Sequence, residues 1–192
     1  MAQEKVELTP RARIPLRPMS EPARQRRSLD QRIYVRFPVL YRLLAGTVSG
    51  LPPRSRVRRL ILARSVALAY AAANRRDFDV VLIGIHPHIE YRPSADLMPP
   101  DLETAFHGHD GYLQLWRYWL DAFEDIRWEP EEMLDFGDTL LVKARQGGHG
   151  SGSGVAVSEP IFQLYRLQRG IVVRLEDFRD HSEALEAVAQ RE

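Results

Sequence analysis

The stretch GVAVSEPIFQLYRLQRGIVVRLEDFRD, residues 154–180, predicts two consecutive β-strands and decides the fold class. Apolar and polar side chains alternate over 155–167 and again over 171–178, which is the period of a strand with two different faces. The letters QRG between the two runs are a turn signal. Two earlier runs, 127–134 and 139–145, are joined by the turn FGD, so the four strands are expected to form an antiparallel meander.

The alternation also sorts the side chains of these strands into two faces. Gln163 and Tyr165 share one face, and because Arg166 lies on the other, the face with Gln163 is expected to point inward. On the next strand, Asp177 falls on an apolar face. Desolvation raises the pKa of a carboxyl group and suits it to proton transfer near neutral pH, so Asp177 is a candidate general acid or base.

Helices are predicted before, between and after the strands. A capping-box pattern at Ser28 and Gln31 begins the first helix, and Ser55 is the expected N-cap of the second. Together with the meander, these helices predict an α+β fold. The predicted elements outside the meander are a helix from Ser28 to about Gly46 that Pro38 kinks or splits, a helix over 56–74, a helical turn and a strand over 85–91, a helix over 110–125, and the final helix HSEALEAVA.

Composition places the chain among ordinary globular proteins. Of its 192 residues, 44% are hydrophobic and 28% are charged, which suits one domain with an extension. The absence of cysteine excludes disulfides and thiolate chemistry. No apolar run is long enough for a transmembrane segment, and no secretory signal is readable, so a cytoplasmic location is expected.

The charge is divided unequally along the chain. Residues 1–76 carry sixteen Arg and one Lys against four acidic residues, a net charge of +13, and the remainder carries −12. We interpret residues 1–27 as a mobile tail rich in Arg and Pro, 28–54 as a basic amphipathic helical extension, and 55–192 as the main domain. The apolar stripe of the extension demands burial, which favours a helix folded back on the acidic domain over a specific nucleic-acid arm. That stripe comprises Ile33, Phe37, Leu40, Tyr41 and Leu44.

Several patterns over residues 57–188 resemble one known family. They include AYAAANRRDFD, IHPHIEYRP, FHGHDGYLQLWRYWLDAF, FGDTLLV, GVAVSEPIFQLYRLQRGIVVRLEDFRD and EALEAVA. In this order they resemble a SnoaL-like member of the nuclear transport factor 2-like superfamily. The resemblance implies a cone-shaped, curved antiparallel sheet that encloses a cavity with its helices. Because this superfamily includes polyketide cyclases, ketosteroid isomerases, epoxide hydrolases and non-enzymatic proteins, it does not fix the activity.

The family's catalytic residues match this sequence incompletely. The steroid isomerase positions fall at Tyr91 or Arg92, at Gln163, and at Ala69 beside Tyr70, so all three roles are altered. Of the three residues that epoxide hydrolase-like members use, only Asp177 has a counterpart. A cyclase-like activity, which needs one acid or base in an apolar pocket, requires least from this sequence.

The predicted site therefore has Asp177 as its catalytic residue, with a cap or a salt bridge to Arg179 or Arg145 as the structural alternative. Trp116 and Trp119 are spaced to share one face of a helix and are expected to line the cavity wall. No cofactor is expected. The predicted ligand-binding side chains are Tyr70, Tyr91, Trp116, Trp119, Gln163 and Tyr165.

Two His-x-His patterns are candidate metal ligands. His86 and His88 alternate with Glu90 on one strand, and His107 lies two residues before His109. Imidazole and carboxylate groups are zinc ligands, but the resembled family is mostly free of metal, and we predict no metal site.

The predicted partner is a small, largely apolar molecule. We also expect a homodimer through the outer face of the sheet, because Phe162, Leu164 and Phe178 would leave an apolar face bare. The alternative function is a non-catalytic interaction protein whose basic N-terminal segment docks to an anionic partner.

Overall fold

The structure, a computed structural model, describes residues 9–17, 25–98 and 103–190. In these residues it contains six α-helices: α1 Leu29–Arg36, α2 Pro38–Ser49, α3 Arg56–Asn74, α4 Phe78–Ile83, α5 Gly108–Ala122 and α6 His181–Ala189. The described strands are β1 Ala12–Pro15, β2 Ile85–Arg92, β3 Phe106–His107, β4 Arg127–Asp135, β5 Thr139–His149, β6 Ala156–Gln168 and β7 Ile171–Phe178.

The seven strands form one sheet in the order β1-β4-β5-β6-β7-β2-β3. The predicted meander from β4 to β7 is confirmed and is antiparallel throughout. The contact of β2 with β7 is parallel, so the sheet is not antiparallel everywhere. The α+β class is confirmed.

Local sequence signals predicted most helix ends well. Ser55 accepts a hydrogen bond from the backbone of Arg58 and caps α3, and the side chain of Gln31 accepts one from the backbone amide of Ser28. Pro38 begins α2, so the predicted break separates two helices. The start predicted at Asp110 is wrong by two residues, since α5 begins at Gly108, whose φ of +70° favours glycine.

A strand occurs where the sequence predicted a tail. Residues 12–15 pair with β4 along the edge of the sheet, and the side chains of Ile14 and Leu16 are buried. The prediction of a mobile tail is therefore wrong for this segment, and residues 1–8 and 18–24 lie outside the described residues. The physical reason is that β4 offers a row of unpaired backbone groups, which a short apolar segment can satisfy.

Helix α6 covers the outer face of the sheet. Ala184 and Val188 pack on Phe162 and Leu164, and all four are buried. The apolar face that motivated a homodimer is thus covered by the chain itself. Dimerisation through this face stays a prediction, and it now lacks the reason from which it was drawn.

The N-terminal extension does not bury its apolar stripe. Ile33 is 46% exposed, Phe37 59%, Leu40 41% and Leu44 44%, whereas Tyr41 is half-buried. The expectation that this stripe would be covered by the domain is wrong. Helix α1 attaches to the domain through the buried Gln31, which donates to the carbonyl of Leu68, and through the ion pair of Asp30 with Arg64, and the ring of Tyr41 on α2 lies beside Gly84.

Arg58 joins the extension to the sheet. Its Nε and Nη2 donate to the two carboxylate oxygens of Asp135 at 2.9 and 3.1 Å, and both side chains are fully buried. Its Nη1 donates to the carbonyls of Val48 and Ser49 at the end of α2, and Nη2 also donates to that of Gly137. All five N–H donors of the guanidinium are therefore satisfied.

We expect Arg58→Ala to destabilise the fold by about 3 to 5 kcal/mol, because it leaves the carboxylate of Asp135 buried without a counter-charge. Urea denaturation measures this loss. Arg145→Ala is the matched control, since Arg145 pairs with Glu131 with half of its side chain exposed, and it should cost less than about 1 kcal/mol. Equal losses of unfolding free energy in the two variants would contradict the role of Arg58 as the buried partner of Asp135.

A chain that begins at Ser55 should unfold at a lower temperature than the full chain. The truncation removes β1, and it also removes the carbonyls of Val48 and Ser49 that Arg58 binds. Differential scanning calorimetry measures the shift, and binding of the dye ANS reports newly exposed apolar surface. A truncated domain as stable as the full chain would show that 55–192 folds independently.

Candidate functional site

The concave face of the sheet and residues of helices α1 to α5 line a cavity of about 470 Å³. Its wall is apolar over most of its area and rich in aromatic rings. The rings of Trp116 and Trp128 lie 4.8 Å apart, and Tyr112 and Phe78 contact Trp116 from other sides. The wall includes Tyr70, Tyr91, Tyr112, Trp116, Trp119, Trp128, Leu140, Gln163, Tyr165 and Leu175.

All six predicted ligand-binding side chains lie in this wall. Tyr70 comes from α3, Trp116 and Trp119 from α5, and the remaining three from β2 and β6. The structure thus brings together residues separated by up to 95 positions in the sequence, such as Tyr70 and Tyr165.

A chain of hydrogen bonds crosses one end of the cavity. Tyr70 donates to Oε1 of Gln163 at 2.5 Å, and Tyr165 has two acceptors at 3.1 Å, Oε1 of Gln163 and Oη of Tyr70. On the other side, Nε2 of Gln163 donates to Asp177 at 2.9 Å, and Oη of Tyr91 donates to Asp177 at 2.7 Å. Five polar side chains therefore form one connected buried group.

Asp177 lies behind the cavity wall and does not line it. Asp177 pairs directly with Gln163 across β6 and β7, and Tyr91 and Gln163 each donate a hydrogen bond to its carboxylate. Its catalytic role stays a prediction. Burial raises the pKa of Asp177 to about 6, although the hydrogen bonds from Gln163 and Tyr91 oppose this shift. The salt bridge expected as its alternative role is not formed, since Arg179 pairs with Glu159 and Arg145 with Glu131.

The tyrosines of this group are held in their neutral form. Burial raises the pKa of Tyr70, and it raises the pKa of Tyr91 and Tyr165 well above the usual value of 10, with the nearby Asp177 contributing at Tyr70 and Tyr91. Burial also raises the pKa of Tyr112. At neutral pH these phenols are therefore hydrogen-bond donors and not anions.

Tyr112 and Trp128 belong to the wall but were missed from the sequence. Tyr112 lies four residues before Trp116 on α5, so the helical spacing that identified Trp116 could also have identified Tyr112. Trp128 alternates between the exposed residues Arg127 and Glu129, which is a strand signal for an inward side chain.

The cavity reaches the surface between α2 and α3. Leu44 and Ile61 line it and are also 44% and 38% exposed. On α2, the cavity-lining residues Tyr41, Leu44, Ala45 and Val48 recur every three or four positions, as one face of a helix does. Helix α2 therefore forms one side of the opening.

The histidine patterns are accounted for locally. His86 Nδ1 accepts from the backbone amide of His88, and Nε2 of His109 lies 3.1 Å from the carbonyl of Ile85. Within residues 9–17, 25–98 and 103–190, no group of three or more His, Asp and Glu side chains could hold a metal ion. In the same residues no helix is long and apolar enough to cross a membrane.

Comparison with known proteins agrees with this architecture. The SnoaL-like domain family matches residues 66–175, which is more than half of the chain and confirms the resemblance drawn from the sequence. No protein of curated function matches the chain.

Several solved structures share the fold. TerC, co-crystallised with polyporic acid, is 21% identical with a TM-score of 0.55, over 66% of this chain and 96% of its own. An NTF2-like protein of unknown function from Burkholderia pseudomallei is 24% identical with a TM-score of 0.56, over 64% and 93%. IdmH, a candidate polyketide cyclase from Streptomyces antibioticus, is 16% identical with a TM-score of 0.53, over 66% and 97%. At these identities the likeness establishes the fold alone.

The raised pKa of Asp177 predicts a pH dependence of stability. Its folded-state pKa of about 6 lies above the ordinary value of 3.8, so the folded protein binds the proton more tightly and loses stability as pH rises from about 4 to 6. Since one pKa unit corresponds to about 1.4 kcal/mol, the loss is roughly 3 kcal/mol.

Asp177→Asn should remove this loss, so its unfolding free energy should rise relative to that of the native chain between pH 4 and 7. Urea denaturation at several pH values measures the difference. Asp121→Asn, an exposed carboxyl on α5, is the control and should leave the profile unchanged. A constant difference between Asp177→Asn and the native chain across this range would contradict the raised pKa.

Proposed function

The chain belongs to the SnoaL-like family, and we propose that it binds a small, largely apolar molecule bearing one carbonyl or hydroxyl oxygen and catalyses a proton transfer on it. The observation that carries this proposal is the connected group of Tyr70, Gln163, Tyr165, Tyr91 and Asp177 at one end of an aromatic cavity. A purely structural core has no need of five polar side chains beside an open space, because polar groups cost free energy when they are buried.

The size and wall of the cavity define the ligand. A volume of about 470 Å³ lies within the range of sites for small organic molecules. Trp116, Trp119 and Trp128 present ring surfaces on which a flat apolar body can stack. A relative of the same fold, TerC, was crystallised with the small molecule polyporic acid, which supports this class of ligand.

The tyrosine hydroxyls define the position of the ligand's oxygen. Tyr165 has one proton but two acceptors at equal distance, so it can redirect that proton to a ligand oxygen at little cost. Tyr70 lies beside it, held by Gln163. A carbonyl that gains negative charge as its neighbouring C–H bond breaks would be stabilised by these donors.

The proton transfer runs through Tyr91. Tyr91 lines the cavity, and its hydroxyl donates a hydrogen bond to the Asp177 carboxylate. As Tyr91 accepts a proton from the ligand's carbon, it passes its own to Asp177, and the electron pair of the C–H bond becomes the enolate on the ligand. Because the raised pKa of Tyr91 excludes a free tyrosinate, both protons move together. Return of the proton to a different carbon would isomerise or cyclise the molecule.

Binding is tested with 2-naphthol, which has a flat apolar body and one hydroxyl. The chain has three tryptophans, Trp116, Trp119 and Trp128, and all line the cavity, so their fluorescence should fall as the probe binds. Trp116→Leu should weaken binding, whereas Arg117→Ser, an exposed neighbour on the same helix, should not. Fluorescence unchanged at saturating naphthol would refute ligand binding in this cavity.

Catalysis is tested by deuterium exchange of 2-tetralone, a ketone with acidic C–H bonds, followed by NMR in heavy water. We expect exchange to rise with pH around a midpoint near 6, since the ionised form of Asp177 is the base. Asp177→Asn and Tyr91→Phe should each lower the rate by about 10²-fold or more, with Asp121→Asn unchanged. Naphthol binding without any deuterium exchange would contradict the proposed catalysis and support a protein that only binds its ligand.

The second candidate function is a non-catalytic interaction protein with a basic N-terminal segment. It is favoured by the exposed apolar and Arg-bearing surface of α1 and α2. Native mass spectrometry of the purified chain distinguishes the two functions, because a retained small molecule supports the first.

A cytoplasmic location and a homodimer remain proposals, and analytical ultracentrifugation tests the dimer.

A further inference from the structure

Helix α2 is apolar on almost every side, yet none of its residues is buried. One side faces the cavity opening, and on the other side Val39 and Leu43 are 66% and 65% exposed. A helix that is hydrophobic all round is normally covered, either by a protein core or by lipid. Something is therefore expected to cover the outward side of α2.

Further exposed apolar side chains lie on the neighbouring helices. Phe37 lies at the junction of α1 and α2, and α3 presents Val57 and Leu60, with Leu60 72% exposed. We call this area the apolar surface and define it by Phe37, Val39, Leu40, Leu43, Val57 and Leu60. An exposed apolar area of this extent on a single protein normally marks a binding site.

Arginines lie on the same helices as the apolar surface and in the loop that joins α2 to α3. Residues 31–76 contain no Asp and no Glu. Within the described part of the chain, no ion pair is formed by six arginines of this region: Arg32, Arg36, Arg42, Arg54, Arg56 and Arg59. The surface therefore combines aliphatic side chains with an uncompensated positive charge.

These two properties together select the partner. A second copy docked about a two-fold axis would place the same arginines against each other, which like-charge repulsion opposes. Nucleic acid would satisfy the arginines but would leave Leu43 and Leu60 against a polar, charged backbone. An anionic bilayer suits both the aliphatic side chains and the arginines. The aliphatic side chains can enter the boundary between headgroups and acyl chains, and the arginines can bind lipid phosphates.

We propose that the apolar surface docks the protein onto an anionic lipid bilayer, with α2 lying in the headgroup region. This inference also gives the opening between Leu44 and Ile61 a role, because both residues adjoin the apolar surface and line the cavity. An apolar ligand could then pass from the bilayer into the cavity without crossing water. That route rests on the proposed function, whereas docking itself does not.

Sedimentation of the full chain with vesicles tests docking in the absence of any ligand. Vesicles of phosphatidylcholine mixed with phosphatidylglycerol should bind the protein, and vesicles of phosphatidylcholine alone should bind it much more weakly. Arg42→Ser should weaken binding roughly fivefold, the effect of losing one cation near an anionic membrane, and high salt should weaken it further. Arg117→Ser, which removes an exposed arginine from α5, should change nothing.

The apolar contribution is tested with the double variant Leu43→Ser and Leu60→Ser. Both side chains are largely exposed, so folding should be kept and vesicle binding lost. Val155→Ser, at an equally exposed apolar residue of the β5–β6 hairpin, is the matched control and should bind as the native chain does. Naphthol binding by the double variant would separate loss of docking from loss of the cavity.

Three results would overturn the proposal. The first is absence of binding to anionic vesicles at low salt, and the second is equal binding to both kinds of vesicle. The third is a native dimer in analytical ultracentrifugation that the double variant converts to monomer, since a second copy would then cover the surface.

Discussion

The buried guanidinium of Arg58 is the interaction on which the arrangement of the helices depends. It forms a bidentate pair with Asp135 at the end of β4 and also binds the two last carbonyls of α2. An arginine without its partners at this depth would carry a large desolvation cost, so α2, α3 and the sheet must come together or not at all. The extension is therefore part of the fold, and with it one side of the cavity opening.

The cavity lies between the concave face of the sheet and the helices that cover it. Trp116, Trp119 and Trp128 cover the wall without closing the space between them. At one end Tyr91 and Gln163 each donate a hydrogen bond to the carboxylate of Asp177, and Tyr70 and Tyr165 donate to Oε1 of Gln163. The same low polarity that raises the pKa of Asp177 strengthens each of these hydrogen bonds, so the group is a structural element, and in the proposed function it also moves a proton.

The charge division along the chain acquires a physical meaning from the exposed surface. Part of the positive charge is neutralised within the fold, as when Arg27 and Arg75 pair with Asp77. Other arginines, including Arg32, Arg42 and Arg59, lie on the helices that also carry exposed aliphatic side chains. An acidic domain that attracts its own basic extension does not explain those aliphatic side chains, whereas a partner with both negative charge and an apolar layer does.

The features of the structure that depend on a few neighbouring residues were determined by the sequence alone. The caps at Ser28 and Ser55, the break at Pro38, the four meander strands and the inward direction of Gln163 and Tyr165 all follow from local periodicity and backbone chemistry. The six predicted ligand-binding residues, all of which lie in the cavity wall, were identified partly in this way and partly through the family resemblance. Only the tertiary structure decided the pairing of β1 with β4, the cover that α6 gives the outer face, and the position of Asp177 behind Tyr91. These depend on contacts between residues far apart in the chain, such as Arg58 with Asp135, and no local pattern specifies which distant group will satisfy a buried charge or an open strand edge.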